Sequence, residues 1–362
     1  MAYLERLKEV LVAGAQQRLY RSIANDHTWP PIPEGDFDPN VCYLRVWLND
    51  MYLAHKRVLY QTRCPLVHAT CRFNYASAAQ DLQLVVGPGQ SESLRTALDR
   101  MVNLNYSLLG PVPYRGGDVE LLIALVAMEA TDYGDQLLDV LGMLSQLTSR
   151  GELKAALPFL QPLKRGVEGL FGIKEHEVHL GMHDTFSSGV GTPHRLTPGY
   201  RVVMDVTNNQ LDPATLWVRE GRLCSGPNLQ SATPFEGADY FLFCLEKVDV
   251  RGDDTPSVRE AWDATTEKAA NSSGQEVDLA VSAFKTIVLT SPDLIWNDKQ
   301  ARILDLIDRV KAIRALMERR GFVPGDFDTS LAGALAEREL ASRPSAEAGH
   351  LSREEIVNLS WR

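Results

Sequence analysis

From Val41 to Val250 the apolar residues of this 362-residue chain recur mainly at every second position, and beyond Arg251 they recur at every third or fourth. No other feature constrains the fold as strongly. A period of two buries one face of a strand, whereas a period near 3.6 buries one stripe of a helix. The segments CYLRVWL, KRVLYQTR, LVHATCRFNY and DLQLVV, between Val41 and Val86, alternate in polarity and are rich in β-branched and aromatic residues, which predicts an antiparallel meander. DVELLIALVAM, from Asp118 to Met128, is apolar on both faces and predicts a strand buried between two layers. HEVHLGMHD, YRVVMDV, TLWVREGRLCS and DYFLFCLEKVDV predict further strands, with Glu220-Gly221 as a hairpin turn.

Helical spacing interrupts and flanks this pattern. Gly87 and Gly89 lead into a short helix expected over about 92–103 with Ser91 as its cap. Over 132–172, LLDVLGMLSQL and ELKAALPFLQPLKRGVEGLFG place leucines at helical spacing around the Ser149-Arg150-Gly151 turn, which predicts a helical hairpin between strands. Pro158 and Pro162 are expected to kink or segment its second arm. Leu4, Leu7, Leu11, Leu19 and Ile23 predict an amphipathic N-terminal helix, ended by the four prolines between Pro30 and Pro39.

The expected organisation is an N-terminal helix and Pro-rich connector (1–38), a β-rich domain (39–252) carrying the hairpin at about 132–172, a helical region (253–323) and a weakly packed tail (324–362). The fold class is α+β: an antiparallel β-sandwich-like domain interrupted by a helical hairpin, with an N-terminal helix and a C-terminal helical region.

Lys and Arg number 37 against 47 Asp and Glu, a formal charge of −10, which argues against nucleic acid as a partner. The five cysteines are odd in number and form no CxxC pair, so free thiols in a reducing cytoplasm are expected. Cys64 and Cys71 read as packing residues despite His68 nearby. Glu5 and Glu9 interrupt the apolar residues at the N-terminus, and no window approaches 18 uninterrupted apolar residues, so no constitutive membrane anchor is expected.

The densest chemical feature is KEHEVHLGMHDTFSSGVGTPH, which holds His176, His179, His183 and His194. As a strand it puts His179 and His183 on one face, two pleats apart, too far to share an ion unless a bulge bends the strand. His176-Glu177-Val178-His179 is one residue short of HExxH and loses that motif's geometry. Asp184 with Ser187 or Ser188 supplies the residue types of a triad, yet GxSxG is absent. Gly87-Pro88-Gly89 stands between a strand and a helix but lacks the further glycine and the Lys-Ser/Thr pair of a phosphate loop. No cofactor is expected. Arg251-Gly252-Asp253 reads as an ordinary turn.

The hairpin and the long C-terminal helix carry leucine and isoleucine stripes that need covering. Leu137, Leu141, Leu144, Leu160 and Leu163 on one, and Ile303, Ile307, Val310, Ile313 and Leu316 on the other, are the candidate surface for a protein partner or self-association. Mutual covering is the alternative. The leading functional expectation is a non-enzymatic adaptor or structural subunit of a cytoplasmic assembly, in a bacterial regulatory or defence setting. Two others stand beside it: a metal-dependent hydrolase using His176, His179 and His183, and a protein whose 132–172 hairpin enters a membrane conditionally.

Overall fold

The computed structural model describes residues 18–54, 57–58, 61–76, 78–86, 101–129, 153–172, 177–189, 194–205, 212–320 and 351–361. Two units, Met1–Asp249 and Val250–Arg362, each have their own core. The strands of the first are β1 (Arg18–Ser22), β2 (Thr28–Trp29), β3 (Tyr43–Tyr52), β4 (Arg57–Val58), β5 (Gln61–Tyr75), β6 (Ala78–Val86), β7 (Met101–Pro113), β8 (Val119–Glu129), β9 (Glu177–Phe186), β10 (Gly199–Asp205), β11 (Leu216–Arg219), β12 (Arg222–Ser225), β13 (Thr233–Pro234) and β14 (Tyr240–Val248). One described helix, α1 (Leu153–Gly172), falls between β8 and β9.

These strands make three sheets. The central one runs β1-β10-β14-β3-β7, the second runs β4-β5-β8-β9 with β6 also on β5, and a short one runs β13-β12-β11-β2. Pairing is antiparallel throughout except where β2 meets β11. The central sheet is covered on both faces, as alternate residues show. Val203, Phe241, Phe243 and Leu245 join the core shared with the second sheet, while Val202, Met204, Tyr240 and Leu242 join Leu216, Val218 and Leu223 of the short sheet. The first unit is thus a three-layered β structure, and the α+β class holds for the chain.

Several expectations are corrected. Residues 18–22 are a strand instead of the end of a helix: Leu19 packs on one core and Tyr20 on the other, the alternation of a strand paired with β10. Residues 1–17 lie outside the described residues. Met101–Asn103 open β7 instead of closing a helix, because β3 offers a full-length pairing partner; residues 87–100 are likewise not described. Of the hairpin, only the second arm is described, and it is one continuous helix. Both prolines lie on its exposed side, so the backbone bonds they remove face water. The expected buried strand from Asp118 is β8, whose residues 121–126 are all buried.

The Glu220-Gly221 turn joins β11 to β12 as expected, with both residues at positive φ (53° and 76°).

The second unit contains α2 (Pro256–Asn271), α3 (Gly274–Thr290), α4 (Trp296–Arg320) and α5 (Arg353–Asn358). Pro256 opens α2 after Thr255, and Ser273 caps α3 in a reciprocal box with Glu276. Val281, Phe284, Ile303, Leu306 and Val310 centre the core. The tail was expected to pack weakly, and its last part does not. Ile356 is fully buried in this core with Leu351, Leu359 and Trp361 packed against it, while Val357 stays exposed. Arg251 is buried and paired with Asp253 at 3.1 Å in the non-helical connection that precedes α2.

Candidate binding cleft

The short sheet covers only part of the central sheet's outer face. Beyond it, one row of side chains crosses three strands: Tyr200 on β10 stands opposite Cys244 on β14, which stands opposite Trp47 on β3. Glu246 and Arg45 form the next register pair. A proline segment, Pro30 to Pro33, faces this row and closes a cleft of about 360 Å³, which Asn49 and Asn105 also line.

Local sequence explains each wall. Pro30, Pro31 and Pro33 fix φ and lack the N–H donors of a strand ladder, and the chain leaves β2 there as a strap. Asn25 holds it in place, accepting from the Ile32 N–H at 2.9 Å and donating to the Ile32 carbonyl at 3.0 Å. Asn49 is the extra residue of a bulge, since Leu242 pairs with Asp50 and Phe243 with Leu48. It is 5% exposed and donates to Asn105 Oδ1 at 2.9 Å. Asn49 Oδ1 has no hydrogen-bond partner among the described residues.

The ionisable groups of the cleft are settled. Glu246 Oε2 accepts from the Trp47 indole at 2.6 Å and from Arg45 at 3.3 Å, and the Arg45 guanidinium lies 5.3 Å from the Trp47 ring centre. Burial pushes the Cys244 thiol up to about 12 and raises the Tyr200 phenol further, so both keep their protons near neutrality. The walls therefore offer aromatic faces, proline rings and amides for recognition.

Of the four histidines, His183 and His194 have described side chains, and each pairs with a different carboxylate. HEVHLGMHD is a strand, β9, as expected, with a bulge between Val178 and Leu180 that leaves His179 outside the register. His176 and the side chain of His179 lie outside the described residues. His183 Nε2 pairs with Glu120 Oε1 at 2.6 Å, and Glu120 also meets Arg72, which pairs with Asp81. This is a charge ladder across β9, β8, β5 and β6 on a polar sheet face. His194 turns to Asp184 at 3.4 Å. Among the described residues no group of three or more His, Cys, Asp or Glu could hold a metal ion.

Of the triad residue types, His194 pairs with Asp184 and the Ser187 N–H donates to the His194 carbonyl at 3.1 Å, but the Ser187 hydroxyl donates to Asp118 instead of the imidazole, and Asp184, raised by its own burial against the pull of His194, also feels the charge of buried Arg201. Cys42, Cys71, Cys224 and Cys244 are free and buried, and burial pushes Cys71 up to about 12. They are packing residues, as expected for Cys71; the Cys64 side chain and Gly87-Pro88-Gly89 lie outside the described residues.

The expected partner surface is corrected where it can be seen. Leu160 and Leu163 are buried in the core of the first unit, with α1 lying against β6. Ile303, Ile307, Val310 and Ile313 are buried in the second unit's core, and Leu316 packs against it. The described side chains of each stripe are covered by their own unit, so they are not a free face. Leu137, Leu141 and Leu144 lie outside the described residues.

Sequence reasoning missed Trp47, Asn49, Tyr200 and Glu246. No local signal marks them, since strand pairing alone brings Trp47, Tyr200 and Glu246 together beside the proline strap. No protein-family model matches the chain, and no curated protein matches it in sequence.

Proposed function

We propose that the chain is a non-enzymatic adaptor or structural subunit of a cytoplasmic multi-protein assembly, and that the strapped cleft takes a short peptide segment of a partner. The observation that carries this reading is the chemistry of the cleft. Aromatic, proline and amide surfaces recognise extended peptide by stacking and backbone hydrogen bonds. Its one carboxylate, Glu246, is held by Trp47 and Arg45. The four described cysteines, buried and unpaired, support a reducing compartment.

The test is affinity capture from the native cell with the full chain and with Trp47→Leu and Tyr200→Ala, each checked for folding by circular dichroism. The expected result is one set of proteins retained by the native chain and lost by both folded variants. Identical capture by all three overturns the reading.

A further inference from the structure

Cys244 is the short side chain of the row that crosses the cleft, with Tyr200 opposite it on one side and Trp47 on the other. Neighbouring strands lie about 4.8 Å apart, so the strands that carry the two aromatic residues are about 10 Å apart. A thiol between two aromatic side chains leaves a slot, and the strap of Pro30 to Pro33 closes it over. Two ring contacts at a common centroid separation of about 5 Å span that gap. One flat aromatic group therefore fits between Tyr200 and Trp47.

The polar groups around the slot call for a donor. The Trp47 indole and Arg45 both donate to Glu246 Oε2, and the Asn49 amide donates to Asn105 Oδ1. Asn49 Oδ1 is left over: it has no hydrogen-bond partner among the described residues, on a side chain only 5% exposed. An enclosed carbonyl without a donor is costly, and the bulge itself does not need one, since an apolar residue can stand at the extra position. The last torsion of an asparagine is soft, so a small turn of the amide brings Oδ1 to a group seated in the cleft.

Charge narrows the choice further. Glu246 and Arg45 are paired at 3.3 Å, so a charged group entering the cleft loses its hydration and meets no unpaired counter-charge on the described walls. An indole is flat and uncharged, with one N–H donor and no acceptor, whereas a phenol or a carboxamide brings an acceptor of its own.

We propose that the cleft takes a tryptophan side chain, its ring seated over Cys244 between Tyr200 and Trp47 and its N–H donating to Asn49 Oδ1. The proposal rests on the peptide reading only for the indole's belonging to a polypeptide.

N-acetyl-tryptophanamide and N-acetyl-3-benzothienylalaninamide, whose sulfur replaces the indole N–H in a ring of nearly the same shape, are titrated into the full native chain by calorimetry and ligand-observed NMR. The expected result is binding of the indole probe at least fivefold tighter than that of the sulfur probe, and loss of at least tenfold in its affinity for folded Tyr200→Ala and Cys244→Leu. Folded Asn49→Leu is expected to bind the two probes equally. Absence of indole binding to the native chain, equal binding of the two probes by it, or unchanged binding to Tyr200→Ala overturns the proposal. The probe pair on the native chain decides even where a variant fails to fold. These outcomes are independent of affinity capture: a cleft-dependent partner with no preference for the indole probe sinks this inference alone, and indole selectivity without such a partner sinks the peptide reading alone.

Discussion

The Tyr240 hydroxyl donates to Asp50 Oδ2 at 2.8 Å in the buried seam between the central and short sheets, and the Leu223 N–H donates to the same oxygen at 3.0 Å. One carboxylate thereby ties β14, β3 and β12 together. Burial pushes Asp50 up to about 6 and holds the Tyr240 phenol neutral.

Tyr240→Phe removes a donor from a buried acceptor and is expected to lower stability by about 2 kcal/mol above pH 7, where Asp50 is ionised. The loss shrinks below pH 5. The folded chain keeps the Asp50 proton up to about pH 6, whereas the ordinary value is 3.8. Folded protein therefore binds the extra proton between these values, and Asp50's contribution declines as pH rises through them. Urea denaturation of the native chain, Tyr240→Phe and Asp50→Asn at pH 5 and pH 8 checks both signs, with the Asp50 decline absent from Asp50→Asn.

His68 gives the opposite slope. It is fully buried on β5, and burial lowers it to about 4 from 6.5. The unfolded chain binds a proton there between pH 6.5 and 4 that the folded chain refuses, so stability falls with falling pH across that window, by up to about 3 kcal/mol. His68→Leu is expected to flatten this slope. Melting temperatures at half-unit pH steps distinguish it from the Asp50 effect, which runs the other way below about pH 6.

The His183-Glu120 pair stands on a partly exposed sheet face, with the two side chains 27% and 26% exposed. His183→Ala is expected to cost less than about 1 kcal/mol, and less still in high salt. Leu163→Ala, in the core beneath α1, is expected to cost about 2–5 kcal/mol. Denaturation of both variants side by side measures the contrast, and a larger loss for His183→Ala would give the charge ladder a structural weight that its exposure does not suggest.

Lys285→Met leaves the Val357 and Leu359 carbonyls without their donor. The expected effect is local: amides of 353–359 exchange with solvent about tenfold faster, while those of α3 and α4 keep their protection. Hydrogen exchange read by mass spectrometry resolves the two regions. Uniform acceleration across the second unit would contradict it.

Local pattern was sufficient where one physical rule acted alone. The alternation of HEVHLGMHD makes β9 a strand whatever its neighbours are, and Glu220-Gly221 turns because its backbone geometry suits a two-residue hairpin. The cleft was not legible, because Trp47, Tyr200 and Glu246 lie far apart in the chain and become neighbours only through the pairing of β3, β14 and β10.

The sequence by itself determined the β-rich first part, the helical second part and the types of most elements, since side-chain period and turn chemistry are properties of a few adjacent residues. Tertiary structure alone decided that Arg18–Ser22 is a strand, that Asn49 bulges, and that residues 351–361 dock instead of trailing. Each of these segments is short, and its local preferences are worth less than the long-range pairing or apolar burial that its partner provides.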